Sequence, residues 1–217
     1  MILMNVTNIL QEIENKKYTK EELANKIKNN YDLLPEIING VSSPKASVRY
    51  GCGNVLKILS EEDPEKLYPY MDFFIELLDS NYRILTWIAM AVIANLTEVD
   101  TDNKFDIIFD KYYNFLNSDY MVTVANVVGN SGKIAKAKPH LAGKITNVLL
   151  NVEKIKTTPH LTNECRNVII EQAISSFDDY YDQIQNKDEV LSFVKRQLNN
   201  SRKTAKIKAE KFIKKNS

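Results

Sequence analysis

The side chains able to supply a base, a nucleophile or a soft metal ligand are few: His140, His160, Cys52 and Cys165. The histidines occur in two similar phrases, Lys138-Pro139-His140-Leu141 and Thr158-Pro159-His160-Leu161. A base acts on a nucleophile within hydrogen-bond reach, and zinc needs Cys, His or carboxylate ligands at set spacing. Neither phrase offers these. The acidic clusters Glu61-Glu62-Asp63, Asp100-Thr101-Asp102 and Asp178-Asp179 flank expected helix starts or turns, where carboxylates complement the helix dipole. Asp100-Thr101-Asp102-Asn103 lacks the Gly and closing Glu of a calcium loop. Gly132-Lys133 looks like the end of a phosphate-binding loop, but Val127 stands where Gly is needed and Ile134 where Ser or Thr is needed. The expectation is no catalytic residue, no metal and no cofactor.

The elements that would position any site are helices. Val6, Ile9, Leu10 and Ile13 form one apolar stripe at helical spacing. Thr19-Lys20-Glu21-Glu22 is a capping box. Ser43-Pro44, Asp63-Pro64 and Thr158-Pro159 each place a cap before a proline at the first helical position, and Lys138-Pro139 supplies the proline without a good cap. No segment alternates with the two-residue period of a half-buried strand.

The starts recur. Ser43, Ser80, Ser118 and Thr158 each precede a helical run. Shifting the chain by one repeat superposes Val48 on Leu85, Tyr50 on Trp87, Cys52 on Ala89, Val55 on Val92, Leu56 on Ile93 and Leu59 on Leu96. A period of roughly 40 residues with two helices per period marks stacked hairpins, each burying its face only against its neighbours. The segment Leu33-Leu34-Pro35-Glu36-Ile37-Ile38, followed by Val41-Ser42-Ser43-Pro44, Val48-Arg49, Cys52 and Leu56, resembles a HEAT repeat. So does the next, with Tyr68-Pro69, Phe73-Phe74, Leu77-Leu78-Asp79, Leu85, Ala89 and Ile93, though Thr86 replaces the usual Arg. The third and fourth units, about 103–136 and 139–177, match only in period and helix pattern, and a last pair follows: 187–198, then a short helix with Ala205, Ala209 and Phe212. The resemblance to HEAT/armadillo-type proteins implies an all-α fold. It would be a right-handed α-solenoid of about five hairpins, forming one domain over 1–217 with 201–217 as a basic capping helix.

Ile84 to Leu96 contains only Thr86 and Asn95 as polar residues, and a helix apolar all round is covered all round. With Leu85, Ala89, Val92, Ile93 and Leu96 inward, the other face is Trp87, Met90, Ala91 and Ala94. The resemblance places that face on the concave wall. It is then either a crowded stack of small side chains or an apolar groove anchored by Trp87 and Met90. On the next such helix Asn126 and Asn130 lie one turn apart. Gly129 and Gly132 each weaken a helix by about 1 kcal/mol relative to Ala, so a kink or early stop is expected there.

The bulk numbers set limits. The chain has 217 residues, 44% hydrophobic, with 29 basic against 28 acidic side chains. That excludes a disordered chain. Two cysteines in apolar runs read as reduced core thiols. The N-terminus has no basic flank and no long apolar run, and no apolar run reaches a membrane span, so the expected address is cytoplasmic. Charge is uneven: residues 61–119 hold 4 basic and 13 acidic side chains, and residues 194–217 hold 9 and 1.

The function expected is a non-enzymatic scaffold. Its concave face, running through Tyr50, Trp87, Met90, Asn126 and Asn130, would bind a protein or peptide or a second copy of the chain. The alternative is nucleic-acid binding through Arg202, Lys203 and Lys206. Some bacterial DNA glycosylases are built from HEAT-like repeats, and this chain is similar in size and helix content. It lacks their Trp and Asp pair one turn apart, since Ala91 follows Trp87. The acidic 61–119 block would also repel phosphate.

Overall fold

A computed structural model describes residues 9–216. Among these residues there is no strand. The helices are α1 (Ile9–Glu14), α2 (Lys20–Lys28), α3 (Leu34–Gly40), α4 (Ala46–Glu62), α5 (Pro64–Leu67), α6 (Met71–Leu77), α7 (Arg83–Leu96), α8 (Lys104–Asn114), α9 (Met121–Ala137), α10 (Ala142–Leu150), α11 (Asn163–Asp179), α12 (Lys187–Arg196) and α13 (Lys203–Asn216). After α1 and α2 they form five hairpins: α3–α4, α6–α7, α8–α9, α10–α11 and α12–α13. Of the expected first stripe, Val6 lies outside the described residues. Ile9 and Ile13 are buried.

The chain divides into two compact units, Met1–Val99 and Asp100–Ser217. In the N-terminal unit α2 and α3 pack on α4, and both α4 and α6 pack on α7. The two second helices obey one register. Val48, Cys52, Val55, Leu56 and Leu59 of α4 are buried, and so are their counterparts Leu85, Ala89, Val92, Ile93 and Leu96 of α7. Where α4 meets α7, Asn95 donates to the Ser60 hydroxyl at 2.9 Å, which satisfies two buried polar groups at once. The expected box at Thr19 is present: its N–H donates to Glu22 at 2.8 Å and its hydroxyl accepts from the Glu22 N–H at 3.2 Å.

In the C-terminal unit α9 packs on α11 and α11 on α13. Contrary to the expected kink, α9 runs unbroken through Gly129 and Gly132. The glycines serve close packing. A Cβ on Gly132 would lie 2.6 Å from Asp179 Oδ2 and 2.8 Å from the Ser176 carbonyl oxygen of α11. The Ser176 hydroxyl donates to the Val128 carbonyl across the same contact, at 2.6 Å. The helix propensity lost at Gly132 is offset by the approach of two helix axes.

The turns before the second helices share one device. Ser43, Ser80 and Ser118 accept through their hydroxyls from the N–H two residues on, at 3.2, 3.1 and 3.2 Å. Asn200 does the same with its carboxamide oxygen, at 2.9 Å. The helix starts one residue further along each time, at Ala46, Arg83, Met121 and Lys203. Pro44 therefore lies in the turn rather than at the first helical position, whereas Pro64 does open α5. The fourth unit differs. Thr158 closes a local turn with Leu161, and α11 starts at Asn163 with Thr162 accepting from the Cys165 N–H. Asp178 and Asp179 close α11 instead of opening a helix, so the dipole does not favour them; Lys215 pairs with Asp178 at 2.8 Å.

One buried ion pair was not legible in the sequence. Lys138, 5% exposed, holds Asp100 Oδ2 at 3.0 Å. It also donates to the Asp100 carbonyl and to Asn103 Oδ1, both at 2.9 Å. Asp100 in turn accepts from the N–H groups of Lys104 and Phe105, at 2.9 and 3.0 Å. The acidic residue thus caps α8, and Lys138 fixes the turn in which Asn103 has φ 54°.

Candidate partner-binding site

Of the buried stretch 85–96, Trp87 alone is not fully buried. The helix is covered nearly all round, as its composition requires. Met90 is 0% exposed, and Ala91 and Ala94 are buried. Met90 is therefore a core residue and not a partner contact. Its flexible thioether fills space where small side chains let neighbouring elements close over α7.

Around Trp87 the surface is aromatic and aliphatic. Ile84, one turn earlier, is 41% exposed, and Tyr82 is 47% exposed. Tyr50 is half-buried on α4, in the repeat position of Trp87. Its ring meets Tyr82 edge-on at 6.5 Å. Arg49 holds this pair in place. Its guanidinium stacks 3.8 Å from the Tyr82 centroid and 4.8 Å from that of Tyr50. One of its nitrogens donates to the Ser43 and Pro44 carbonyls, at 2.7 and 3.2 Å. The Val-Arg opening of the second helix is thus a brace between helix and turn. Tyr82 was missed in the sequence because it lies just ahead of α7, where there is no periodic face; Ile84 was read as part of the apolar stretch without being assigned to either face.

In the C-terminal unit Asn126 and Asn130 line a groove of about 360 Å³ together with Met121, Val122, Gly129 and Gln172. Asn126 donates to the Val122 carbonyl at 2.8 Å, which leaves its oxygen for another donor. Asn130 is hydrogen-bonded to Tyr112, and burial pushes that phenol well above its ordinary range. The carboxamide of Asn130 is consequently held from below by a side chain that stays neutral. Gln172 belongs to α11, and sequence spacing gave no signal for it.

A larger groove of about 640 Å³ lies between residues 116–119 and 148–161, with Leu116, Val148, Val152, Ile155 and Leu161 among its walls. Its only trace in the sequence is the longer repeat interval before α11.

Four of the nine basic residues of the C-terminus, Arg196, Arg202, Lys208 and Lys215, pair with carboxylates of the unit. Arg202 holds Glu171 at 2.9 Å and Glu164 at 2.5 Å. Lys208 reaches Glu171 at 3.2 Å, and Arg196 reaches Glu153 at 2.7 Å. Arg202 ties the turn before α13 to α11 and is not a free phosphate contact; Lys203 and Lys206 are exposed. The acidic block also sits elsewhere than the phosphate argument assumed, since no carboxylate occurs from residue 82 to 97.

His140 pairs with Asp106 at the surface, and the backbone N–H of His160 donates to the Thr158 hydroxyl at 3.3 Å. Cys52 is buried, and burial pushes its thiol up to about 12. Cys165 is half-buried at the start of α11, where Thr162 donates to its sulfur at 3.3 Å; it is not the core residue its apolar run implied. Both cysteines are free. Among the described residues no group of three or more His, Cys, Asp or Glu could hold a metal ion, and no helix is long and apolar enough to cross a membrane.

No protein-family model and no curated protein matches the chain. Solved structures do. A designed armadillo repeat protein aligns over 98% of this chain and 94% of its own, at 12% identity and a TM-score of 0.57. An engineered protein solved by crystallography aligns over 98% of this chain and 92% of its own, at 13% identity and a TM-score of 0.48. With the repeated hairpins and their shared register, the first likeness establishes an all-α solenoid of the armadillo/HEAT helical-repeat type.

Proposed function

We propose that the chain is a non-enzymatic scaffold that binds a protein partner along the exposed edges of its second helices. The observation that carries this is Trp87. A large aromatic is left partly open on a helix whose other residues from 85 to 96 are buried, beside the exposed Ile84 and Tyr82. Such rigid aromatic anchors dominate binding energy when a partner covers them. In the C-terminal unit the carboxamides of Asn126 and Asn130, the latter held by Tyr112, would supply directional hydrogen bonds that set register. A helical-repeat fold supports the reading, because stacked hairpins generate extended binding surfaces.

The test is capture of partners by the intact chain and by Trp87→Ala, with helicity followed by circular dichroism. We expect affinity for the captured partner to fall by about 2 kcal/mol or more, the range of an anchor residue, at unchanged helicity. Loss of helicity in Trp87→Ala would make Trp87 a core residue and remove the anchor.

A further inference from the structure

Helix α13 has its cations sorted by face. Ala205, Ala209 and Phe212 are buried. Lys208 and Lys215, with Arg202 just ahead of the helix, pair with carboxylates of α11. The remaining lysines lie on the other side. Lys203, Lys206, Lys211 and Lys214 are all exposed, and among the described residues none of the four is held in an ion pair. Ile207 sits in their midst, 37% exposed. Lys203 and Lys211 lie one turn to either side of it, Lys214 two turns on, and Lys206 flanks it. The carboxylate of α13 is Glu210, exposed on the same side. Four positive charges therefore face one negative charge around an apolar side chain. Ile207 also follows the start of α13 by the interval at which Tyr50 follows that of α4 and Trp87 that of α7. It occupies the position that leaves an aromatic ring partly open on those second helices.

We propose that this face of α13 docks an acidic segment of a partner protein, with an apolar side chain seated on Ile207 and carboxylates on the surrounding lysines. The proposal rests on the partner-binding role of the second helices and adds a contact point with its own chemistry. Clustered like charges act on a ligand together, so they steer acidic segments to the apolar seat and turn basic ones away. Nucleic acid fits less well. Glu210 lies inside the patch that a phosphate strand would cross. The aromatic residue of α13, Phe212, is buried, so the helix offers no ring for a base to stack on, and Ile207 would go unused.

The experiment follows fluorescence anisotropy of short fluorescein-labelled peptides of Glu and Leu on the intact chain, with Gln-for-Glu versions and labelled oligothymidylate in parallel. We expect the Glu peptide to bind about tenfold or more tightly than the Gln version, with the gap closing at high salt. Lys203→Gln, Lys206→Gln, Lys211→Gln and Lys214→Gln combined should weaken it by a similar factor. Ile207→Ser should weaken both peptides alike. The substituted side chains are exposed, so helicity should hold in each variant; if the fourfold variant loses it, Lys206→Gln with Lys211→Gln carries the same test. Equal affinity for the Glu and Gln peptides overturns the proposal, as does unchanged binding in the lysine variants or in Ile207→Ser. Tighter binding of oligothymidylate than of the Glu peptide overturns it in favour of nucleic acid. A dimer in sedimentation that the fourfold variant loses overturns it in favour of a second copy of the chain. Trp87→Ala should leave peptide binding intact, and its loss there would place the acidic segment on the wrong face. Failure of every peptide to bind also overturns the proposal, while partner capture by Trp87→Ala decides the broader reading separately.

Discussion

Lys138 and Asp100 form a pair with side chains 6% and 0% exposed, and each also satisfies backbone groups of the turn before α8. Removing one partner of a buried ion pair leaves the other charge uncompensated, at a cost of about 3–5 kcal/mol. Lys138→Ala should lower stability by that amount in urea denaturation, and a loss below about 1 kcal/mol would show the pair to be idle. Two glycines give predictions of opposite sign. Gly132→Ala must push α9 away from Asp179 and the Ser176 carbonyl. It should destabilise by about 1–3 kcal/mol, as overpacking does, despite better helix propensity. Gly143 has nothing within 4 Å of its added Cβ, so Gly143→Ala should be neutral or stabilise by up to about 1 kcal/mol. Thermal melts of the two variants, run in parallel, check both signs.

At the scale of the element, α13 is pinned to α11 through Glu171. Burial pushes this carboxyl up, but hydrogen bonds from Thr204, Arg202 and Lys208 outweigh it and hold the group below its ordinary value. A carboxyl lowered on folding contributes stability that is whole above the unfolded value and is lost as pH falls through the lower folded value. Glu171→Gln should therefore lower the melting temperature at about pH 7, and the difference from the parent chain should shrink below about pH 4, the unfolded carboxyl range. A difference that stays constant into acid would mean that the ion pairs contribute nothing. The same contacts show why a bare count of the lysines and arginines after residue 194 overstates the open charge: Arg202, Lys208 and Lys215 pair with carboxylates of α11, while Lys203 and Lys206 stay exposed. Likewise α9 looks breakable from its glycines, and only its neighbour shows why they are there.

For the whole molecule, the repeat register is the main organising fact. The apolar stripe of α4 recurs on α7 position for position, and the turn hydroxyls at Ser43, Ser80 and Ser118 recur with it. Each hairpin exposes an apolar face that only an adjacent hairpin can cover, so period alone specifies stacking. The sequence also shows the charge imbalance of residues 61–119, but a linear sum mixes layers. Once helices are assigned, the acid falls on the end of α4, on α5, α6 and α8 and in the turns, while α7 carries none.

Periodicity, caps and prolines were sufficient for an all-α repeat fold, because they act within one or two turns of chain. They also placed Trp87 and Tyr50 in equivalent positions. What only tertiary structure decided is which side of an all-apolar helix stays open: Met90 is sealed and Trp87 is not. It also decided which charges are spent, as with Lys138 on Asp100 and Arg202 on Glu171. Burial and ion pairing join residues tens of positions apart, and no local pattern records which partner arrives.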